Sequence, residues 1–497
     1  MRIVVIGSGF GGLGAAIRLR ARGHDVTIVD KLERPGGAAQ VFQQDGFTFD
    51  VAPSRIAAPW LIQELFDLAG RRTADYVTLV PLEPFYSVRF EDGAIFQYSG
   101  LGDHLAREIR KFAPSDVTGY LRLRTAAARM FEAAFPLAER PLARVRDAAR
   151  ALPELARLRA YRSITALVNG SISDARLRRL FSLGPLLIGG DPARTPAIYA
   201  MLQTLDQRWG VWFAMGGTGA LVRALVRLFE ELGGQLRLAA EAAAIVIDAL
   251  SRRATGVRLT TGEIVPADAV VSSADVASTY LHLVPAAART VESNRRIEGR
   301  SYSTSLFVLC FGTNRRYEDL AHHEILIGTH EDAHTAQAAH GGAARSGARP
   351  QLPHDLTLSL HRPTATDPSL APPGCDVWCA TVAVPNLRAP TDWTIAAPLY
   401  RDMIVQYLER RYLPELSRHI VAERSIDPLY FRDVLNCHVG SAFSVEPTCG
   451  QTGCGRPHTQ SPDVGNLYCV GAGTHPGASL PGVLLSGRIA AQLIGDA

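Results

Sequence analysis

The spacing of apolar positions changes as the chain advances. Residues 3–6 are a continuous β-branched run, residues 10–21 carry their apolar positions at helical spacing, and residues 26–29 return to an apolar run that ends at Asp30. That order predicts strand, helix, strand. A related pattern closes the chain: residues 466–473 read as a strand ending at Gly471 and Gly473, and residues 481–494 read as a helix with Pro481 near its first turn. Runs at 241–247 and 268–276 read as further strands, and residues 304–447 are rich in short strands. From Arg122 to Arg179, arginines alternate with Leu, Phe and Ala at helical spacing, the pattern of basic amphipathic helices. Residues 331–355, dominated by Ala, Gly, His and Arg, read as a mobile loop whose His334, His340 and His354 lack metal-ligand spacing. No internal repeat is visible.

Composition narrows the picture. A chain of 497 residues, 47% hydrophobic, builds a large core and is too long for one ordinary domain. Its 52 basic and 48 acidic residues nearly balance, so the charge does not point to nucleic acid, and none is expected as a partner. The seven cysteines are odd in number, all in the second half, and form no Cys-x-x-Cys pair. They are expected to be plain buried thiols in a reducing compartment, with no disulfide framework and no zinc site. Met1 runs straight into the first strand and no apolar run has the length of a membrane span, so the expectation is a protein made in the cytosol.

The chemistry begins at Gly7-x-Gly9-x-x-Gly12, which sits between the first strand and the first helix. Gly7 permits a tight turn, Gly9 lets backbone approach a pyrophosphate, and Gly12 allows close helix packing; Asp30 is placed to accept from a ribose. The helix N-terminus then faces the phosphates and favours their charge by about 0.3–1 kcal/mol where exposed. A second glycine turn, Gly36-Gly37, follows Pro35 where a nicotinamide-binding domain would enter its next crossover helix. This favours the larger cofactor FAD. Neither a Ser/His/Asp set nor a metal-ligand set is evident, and no metal is expected.

Several longer segments carry a resemblance: GFTFDVAPS (46–54), RWGVWFAMGGTGALV (208–222), ADAVVSSADV (267–276), YSTSLFVLCFGTNRRYEDLAHHEILIG (302–328), TDPSLAPPGC (366–375), GSAFSVEP (440–447) and NLYCVGAGTHPGASLPGV (466–483). In this order they are similar to the bacterial carotenoid desaturases of the phytoene desaturase type, within the flavin amine oxidase-like superfamily. The resemblance covers nearly the whole chain. It implies an α/β fold with a discontinuous Rossmann-like FAD-binding domain (1–82, 211–283 and 463–497), a β-sheet substrate domain (83–110 and 284–462) and a helical membrane-facing subdomain (111–210).

On this resemblance the FAD site gathers Gly7, Gly9, Gly12, Asp30, Gly36, Gly37, Ala52, Pro53, Ala242, Gly471, Gly473, Pro481, Gly482 and Val483, with the Ala242 backbone near the adenine. The C-terminal segment folds back beside the N-terminal turn, and its helix points at the pyrimidine edge of the flavin, where reduction places negative charge. The implied reaction introduces double bonds into an acyclic carotenoid by hydride transfer to flavin N5 with proton loss from the adjacent carbon. Glu446 and His475 are the candidate proton acceptors, and Phe443 and Trp212 are candidate tunnel or flavin-wall residues. Oxygen or a quinone would take the electrons, and the enzyme would lie peripherally on the inner face of the cell membrane.

The sequence also departs from the family pattern. Ala38 replaces the usual Arg after Gly36-Gly37, Ala52 replaces a Gly, Cys437-His438-Val439-Gly440 replaces Ala-Tyr-His-Gly, and Cys454-Gly455 replaces Trp-Phe. FAD affinity, chain length, end groups and the number of desaturation steps are therefore open. So are three alternatives: a redox-neutral cis–trans isomerase using FAD, a desaturase of hydroxylated or methoxylated carotenoids, and an inactive polyene-binding paralogue.

Overall fold

A computed structural model describes residues 1–51, 55–100, 102–142, 144–328 and 357–497. Ala52, Pro53 and the 331–355 stretch lie outside the described residues.

The β-branched run at the N-terminus becomes strand Arg2–Ile6, the centre of a five-stranded sheet. Asp25–Val29 and then Gln235–Arg237 lie on one side, Ala269–Ser272 and then Leu467–Cys469 on the other. All neighbours are parallel. A parallel sheet needs both faces covered. Helices Phe10–Ala21, Gly217–Glu231 and Leu480–Ile494 share one core with its apolar side chains, where Val5, Leu13, Ile17, Leu221 and Leu484 are buried together. The opposite side chains, including Val4, Val270 and Leu467, pack on the three-stranded antiparallel sheet built from Ala242–Ile247, Ala254–Leu259 and Ile264–Pro266. The strand expected at 241–247 is therefore present in this smaller sheet and not in the parallel one.

Helices Phe10–Ala21 and Leu480–Ile494 meet through small residues. A Cβ on Gly487 would lie 2.8 Å from the backbone nitrogen of Ala15 and 3.0 Å from the carbonyl of Gly11. No larger side chain fits without shifting a helix, which costs about 1–3 kcal/mol in a packed core. Buried Arg18 adds polar ties, donating from Nη1 to the carbonyls of Gly14 (2.9 Å) and Leu484 (3.2 Å) and pairing through Nε with Glu64. The first and last helices thus form one unit.

A seven-stranded sheet forms the second layer, in the order Ile420–Ile426, Ser305–Thr313, Asp376–Val384, Leu358–His361, His323–Ile327, Tyr86–Phe90, Ile95–Tyr98. Alternation sorts its two faces. Phe307, Leu309, Phe311, Trp378 and Leu360 pack on helix Trp393–Arg411, whereas Val308, Cys310, Val377 and Cys379 pack toward Phe47 and Phe49.

One cysteine expectation is corrected here. Cys310 and Cys379 stand directly opposite on neighbouring antiparallel strands and are joined by a disulfide. The pairing arises from strand register between residues 69 apart, a relationship that cysteine spacing does not reveal. Cys375, Cys437, Cys449, Cys454 and Cys469 are free, of which only Cys469 is fully buried.

The stretch from 111 to 210 is helical among the described residues, led by Asp116–Ala138, with Leu152–Arg157, Ile164–Asn169, Ala175–Ser182 and Met201–Trp209. No helix of the described residues is long and apolar enough to cross a membrane.

Candidate active site

Both glycine turns of the N-terminal region are built as the sequence requires. Gly7 has φ +95°, in the region closed to most side chains, and a Cβ on Gly12 would fall 2.0 Å from the Gly7 carbonyl. Gly9 begins helix Phe10–Ala21, whose N-terminus no side chain caps. The second turn lies against the first: Gly36, at φ +119°, forms a bridge with Gly9 and donates from its backbone to the Ser8 carbonyl at 3.2 Å, and Gly37 has φ +58°. An uncapped helix N-terminus flanked by bare backbone suits the phosphates of a dinucleotide.

Asp30 is buried, and its carboxylate is already used. Oδ2 accepts from the Ser8 backbone nitrogen (2.7 Å) and hydroxyl (2.6 Å), and Oδ1 accepts from the Leu32 nitrogen (2.9 Å). A carboxylate offers about four lone-pair positions, so one acceptor position remains for a ribose hydroxyl. Beside it, the Ala240 nitrogen donates to the Asp30 carbonyl (2.8 Å) and the Ala239 nitrogen to the Leu32 carbonyl (2.9 Å), bringing the approach to Ala242 alongside Asp30.

The C-terminal segment closes the same region. After Leu467–Cys469, Gly471 takes φ +107° and donates its backbone N–H to Ser486 Oγ at 2.8 Å. A Cβ on Gly11 would come within 3.2 Å of the Gly471 nitrogen, so the two glycine segments touch. Gly473 is wedged between Val276 and Ser444, where a Cβ would lie 2.5 Å and 2.6 Å from their side chains. Helix Leu480–Ile494 is capped by the Ser479 hydroxyl, which accepts from Gly482, and Pro481 occupies its first turn with Val483 following. The glycine segments of both termini thus touch at Gly11 and Gly471, beside the uncapped N-terminus of helix Phe10–Ala21, a cradle that suits the phosphates of a flavin dinucleotide.

Glu446 lies two residues beyond Ser444, buried, with Arg194 Nη1 at 3.1 Å and 3.0 Å from its two oxygens. Burial outweighs Arg194 and, with nearby Asp191, pushes the carboxyl up to about 7. Its protonation therefore changes near neutral pH. His475 is different: its Nε2 donates to the Leu137 carbonyl at 2.9 Å, fixing the tautomer, and burial pushes the ring down to about 4. Held neutral and hydrogen-bonded to helix Asp116–Ala138, it is the weaker proton acceptor. Phe443 is half-buried over Gly189, where a Cβ would meet its ring at 2.5 Å, and Trp212 is half-buried with Nε1 donating to the Trp209 carbonyl.

Arg456 went unrecognised as a site residue in the sequence. It is fully buried, and its guanidinium donates to the carbonyls of Thr474 (3.2 Å), Val445 (3.0 Å) and Ala472 (2.6 Å). It thereby ties the backbone just before His475 to the backbone just before Glu446. Its position in Arg456-Pro457-His458, flanking Gly455, was the only local signal. Three histidines also converge without any sequence signal: His322, His323 and His361 are buried together in the seven-stranded sheet.

The comparisons with known proteins agree with this geometry. Residues 10–495 match the family described as flavin containing amine oxidoreductase. A phytoene desaturase (lycopene-forming) of Pseudescherichia vulneris is 42% identical over 495 residues, 99% of each chain. The neurosporene-forming phytoene desaturase of Rhodobacter capsulatus is 36% identical, covering 100% of this chain and 94% of the other. Among solved structures, an oxidoreductase from Methanosarcina mazei superposes with a TM-score of 0.66 at 16% identity, covering 98% of this chain and 99% of the other. Putrescine oxidase bound to putrescine superposes with a TM-score of 0.64, also at 16% identity and 99% of each chain; at that identity the likeness concerns the fold. The chain belongs to the flavin containing amine oxidoreductase family, in the group of bacterial phytoene desaturases.

Proposed function

We propose that this chain is an FAD-dependent desaturase that introduces double bonds into an acyclic carotenoid, phytoene or a related polyene. The observation that carries this reading is 36–42% identity to phytoene desaturases over nearly the full chain. The two-ended glycine cradle is consistent with it.

Bound in that cradle, FAD would supply the two-electron acceptor for a hydride from one carbon of a –CH₂–CH₂– unit. Everything else falls to the protein. Gly7, Gly9, Gly12, Gly36 and Gly37 admit the pyrophosphate, Asp30 receives the ribose, and the backbone at Ala242 lies toward the adenine; Ala52 and Pro53 are assigned to the flavin by resemblance alone. Gly471, Gly473, Pro481, Gly482 and Val483 would hold the flavin with backbone and a helix N-terminus, whose dipole favours the negative charge gained on reduction. Glu446, ionised above about 7, accepts the proton lost from the adjacent carbon. Arg194 orients that carboxylate, and Arg456 fixes the backbone that carries it.

The three sequence segments 1–82, 211–283 and 463–497 act as the FAD-binding domain, 83–110 and 284–462 as the substrate domain, and 111–210 as the membrane-facing part. Arg144, Arg146, Arg150, Arg157, Arg159 and Arg162 are exposed in the same stretch as exposed Leu152 and Tyr161, a combination suited to anionic lipid. A C40 polyene dissolves in lipid, so an enzyme docked on the inner face of the membrane collects it where it resides. Oxygen or a quinone reoxidises the enzyme.

Anaerobic addition of phytoene in liposomes to the FAD-loaded protein tests the reading. It predicts bleaching of the oxidised-flavin absorption together with a product lighter by two hydrogens. No bleaching and unchanged phytoene would refute it.

A further inference from the structure

Outside the cradle, the most concentrated set of metal-ligating side chains among the described residues lies in the seven-stranded sheet. His323 and His361 stand directly opposite on antiparallel neighbours His323–Ile327 and Leu358–His361, so their rings share one face of the sheet. His322 precedes that strand and turns its ring to the same point. The three ring centroids form a nearly equilateral triangle with sides of 4.7, 4.7 and 4.9 Å. Each ring offers one nitrogen, and these three atoms lie within 4.8 Å of one another.

We infer that His322, His323 and His361 form a structural site for one divalent transition ion of the zinc class.

One pair of nitrogens already has the spacing of that chemistry. Two imidazole nitrogens bound to one tetrahedral zinc at about 2.0–2.1 Å are about 3.3 Å apart, and His322 Nε2 and His361 Nε2 are 3.1 Å apart. For His322 the second sphere fits as well. His322 Nδ1 lies 2.6 Å from Thr366 Oγ1; with the ring N–H donating to that hydroxyl, Nε2 keeps its lone pair for a metal. All three rings are buried, out of competition with water for an ion.

The surrounding charges leave room for a cation. Arg362 is the positive charge that acts on His322, and its Nε pairs with buried Asp376 at 3.2 Å while its Nη1 donates to the Leu320 carbonyl. Glu324, on the opposite face of its strand, pairs with Arg89. Cys379 is next in the same cross-strand row, opposite His361, but its sulfur is bonded to Cys310. The ligand set is therefore three nitrogens. Phe213 packs edge-on to His322 at 4.7 Å and at 6.3 Å to His361, so a bound ion would link strand Val211–Ala214, through this ring, to the centre of the seven-stranded sheet.

The test expresses the full chain in zinc-supplemented medium, removes surface-bound metal with a weak chelator and counts zinc by atomic spectroscopy. About one zinc per chain is expected in the wild type, and a small fraction of that in His361→Gln. Cobalt substitution should give the visible absorption of a tetrahedral ion, absent from His361→Gln. Thr366→Val, which leaves all three ligands in place, should weaken zinc binding about 10–100-fold. Failure of the wild type to retain zinc or cobalt, including after refolding with excess metal, would overturn the inference. So would equal zinc in wild type and a folded His361→Gln. Should His361→Gln not fold, the wild-type count and Thr366→Val decide the matter.

Discussion

Arg194 reaches both oxygens of Glu446 with a single nitrogen, at 3.0 and 3.1 Å, across 252 residues of sequence. The pair does not hold the carboxylate fully ionised, because burial pushes Glu446 up to about 7. Two pH effects follow. The folded pKa lies above the ordinary carboxylate value, so the contribution of this group to stability is complete below about 4.5 and is lost as pH rises through about 7. Activity should do the opposite, rising through the same range as the base becomes ionised. Glu446→Gln should therefore lower turnover about 10²–10⁴-fold, abolish that rise in the pH–rate profile, and reduce the loss of melting temperature between pH 5 and 8. An unchanged pH profile in this variant would assign Glu446 a structural role only.

Gly9 separates cofactor contact from folding. A Cβ placed there meets nothing nearer than the Gly36 carbonyl at 3.8 Å, and its backbone, at φ −68°, suits any residue. Gly9→Ala should fold with a nearly unchanged melting temperature when both forms are stripped of cofactor, yet bind FAD at least about tenfold more weakly, because the added methyl stands where the pyrophosphate approaches. Flavin fluorescence titration measures it. Tight FAD binding by the variant would place the pyrophosphate elsewhere.

Arg456 lends itself to a sharper stability test. Its removal leaves the carbonyls of Val445, Ala472 and Thr474 buried without this donor. Each orphaned group costs about 1–3 kcal/mol. Arg456→Met should lower stability by several kcal/mol, read by urea unfolding, and release flavin during purification. Retention of wild-type stability would show that the three carbonyls find other donors.

The exposed residues Arg157, Arg159, Arg162, Leu152 and Tyr161 should let the protein bind vesicles rich in anionic lipid and release them as salt rises. Replacing the three arginines with glutamate should reduce co-sedimentation at least about tenfold, at about 1 kcal/mol per basic residue, without altering FAD content. These side chains are exposed, so the fold should tolerate the change. Equal binding by the variant would move the docking face elsewhere.

What the sequence could reveal was local. Gly7, Gly9 and Gly36-Gly37 are legible because a tight turn and a bare backbone are properties of the residues themselves, and the apolar run at 3–6 announces its strand in the same way. Glu446 is visible as an acid in a glycine-flanked segment, but not its partner Arg194. The Cys310–Cys379 disulfide and the three histidines depend on the register of strands far apart in sequence, which neither period nor spacing encodes. Arg456 carries another lesson: an arginine is ordinarily read as a surface charge, and only the fold shows this one buried among carbonyls.

The central claim, desaturation of an acyclic carotenoid, is tested most directly by expressing the chain in a bacterium that accumulates phytoene and comparing the extracted pigments with an empty-vector control. The account predicts products lighter by two hydrogens per step, with absorption moving to longer wavelength. Phytoene unchanged in mass, in cells holding FAD-loaded protein, would contradict it, and a change of geometry without loss of hydrogen would instead identify an isomerase.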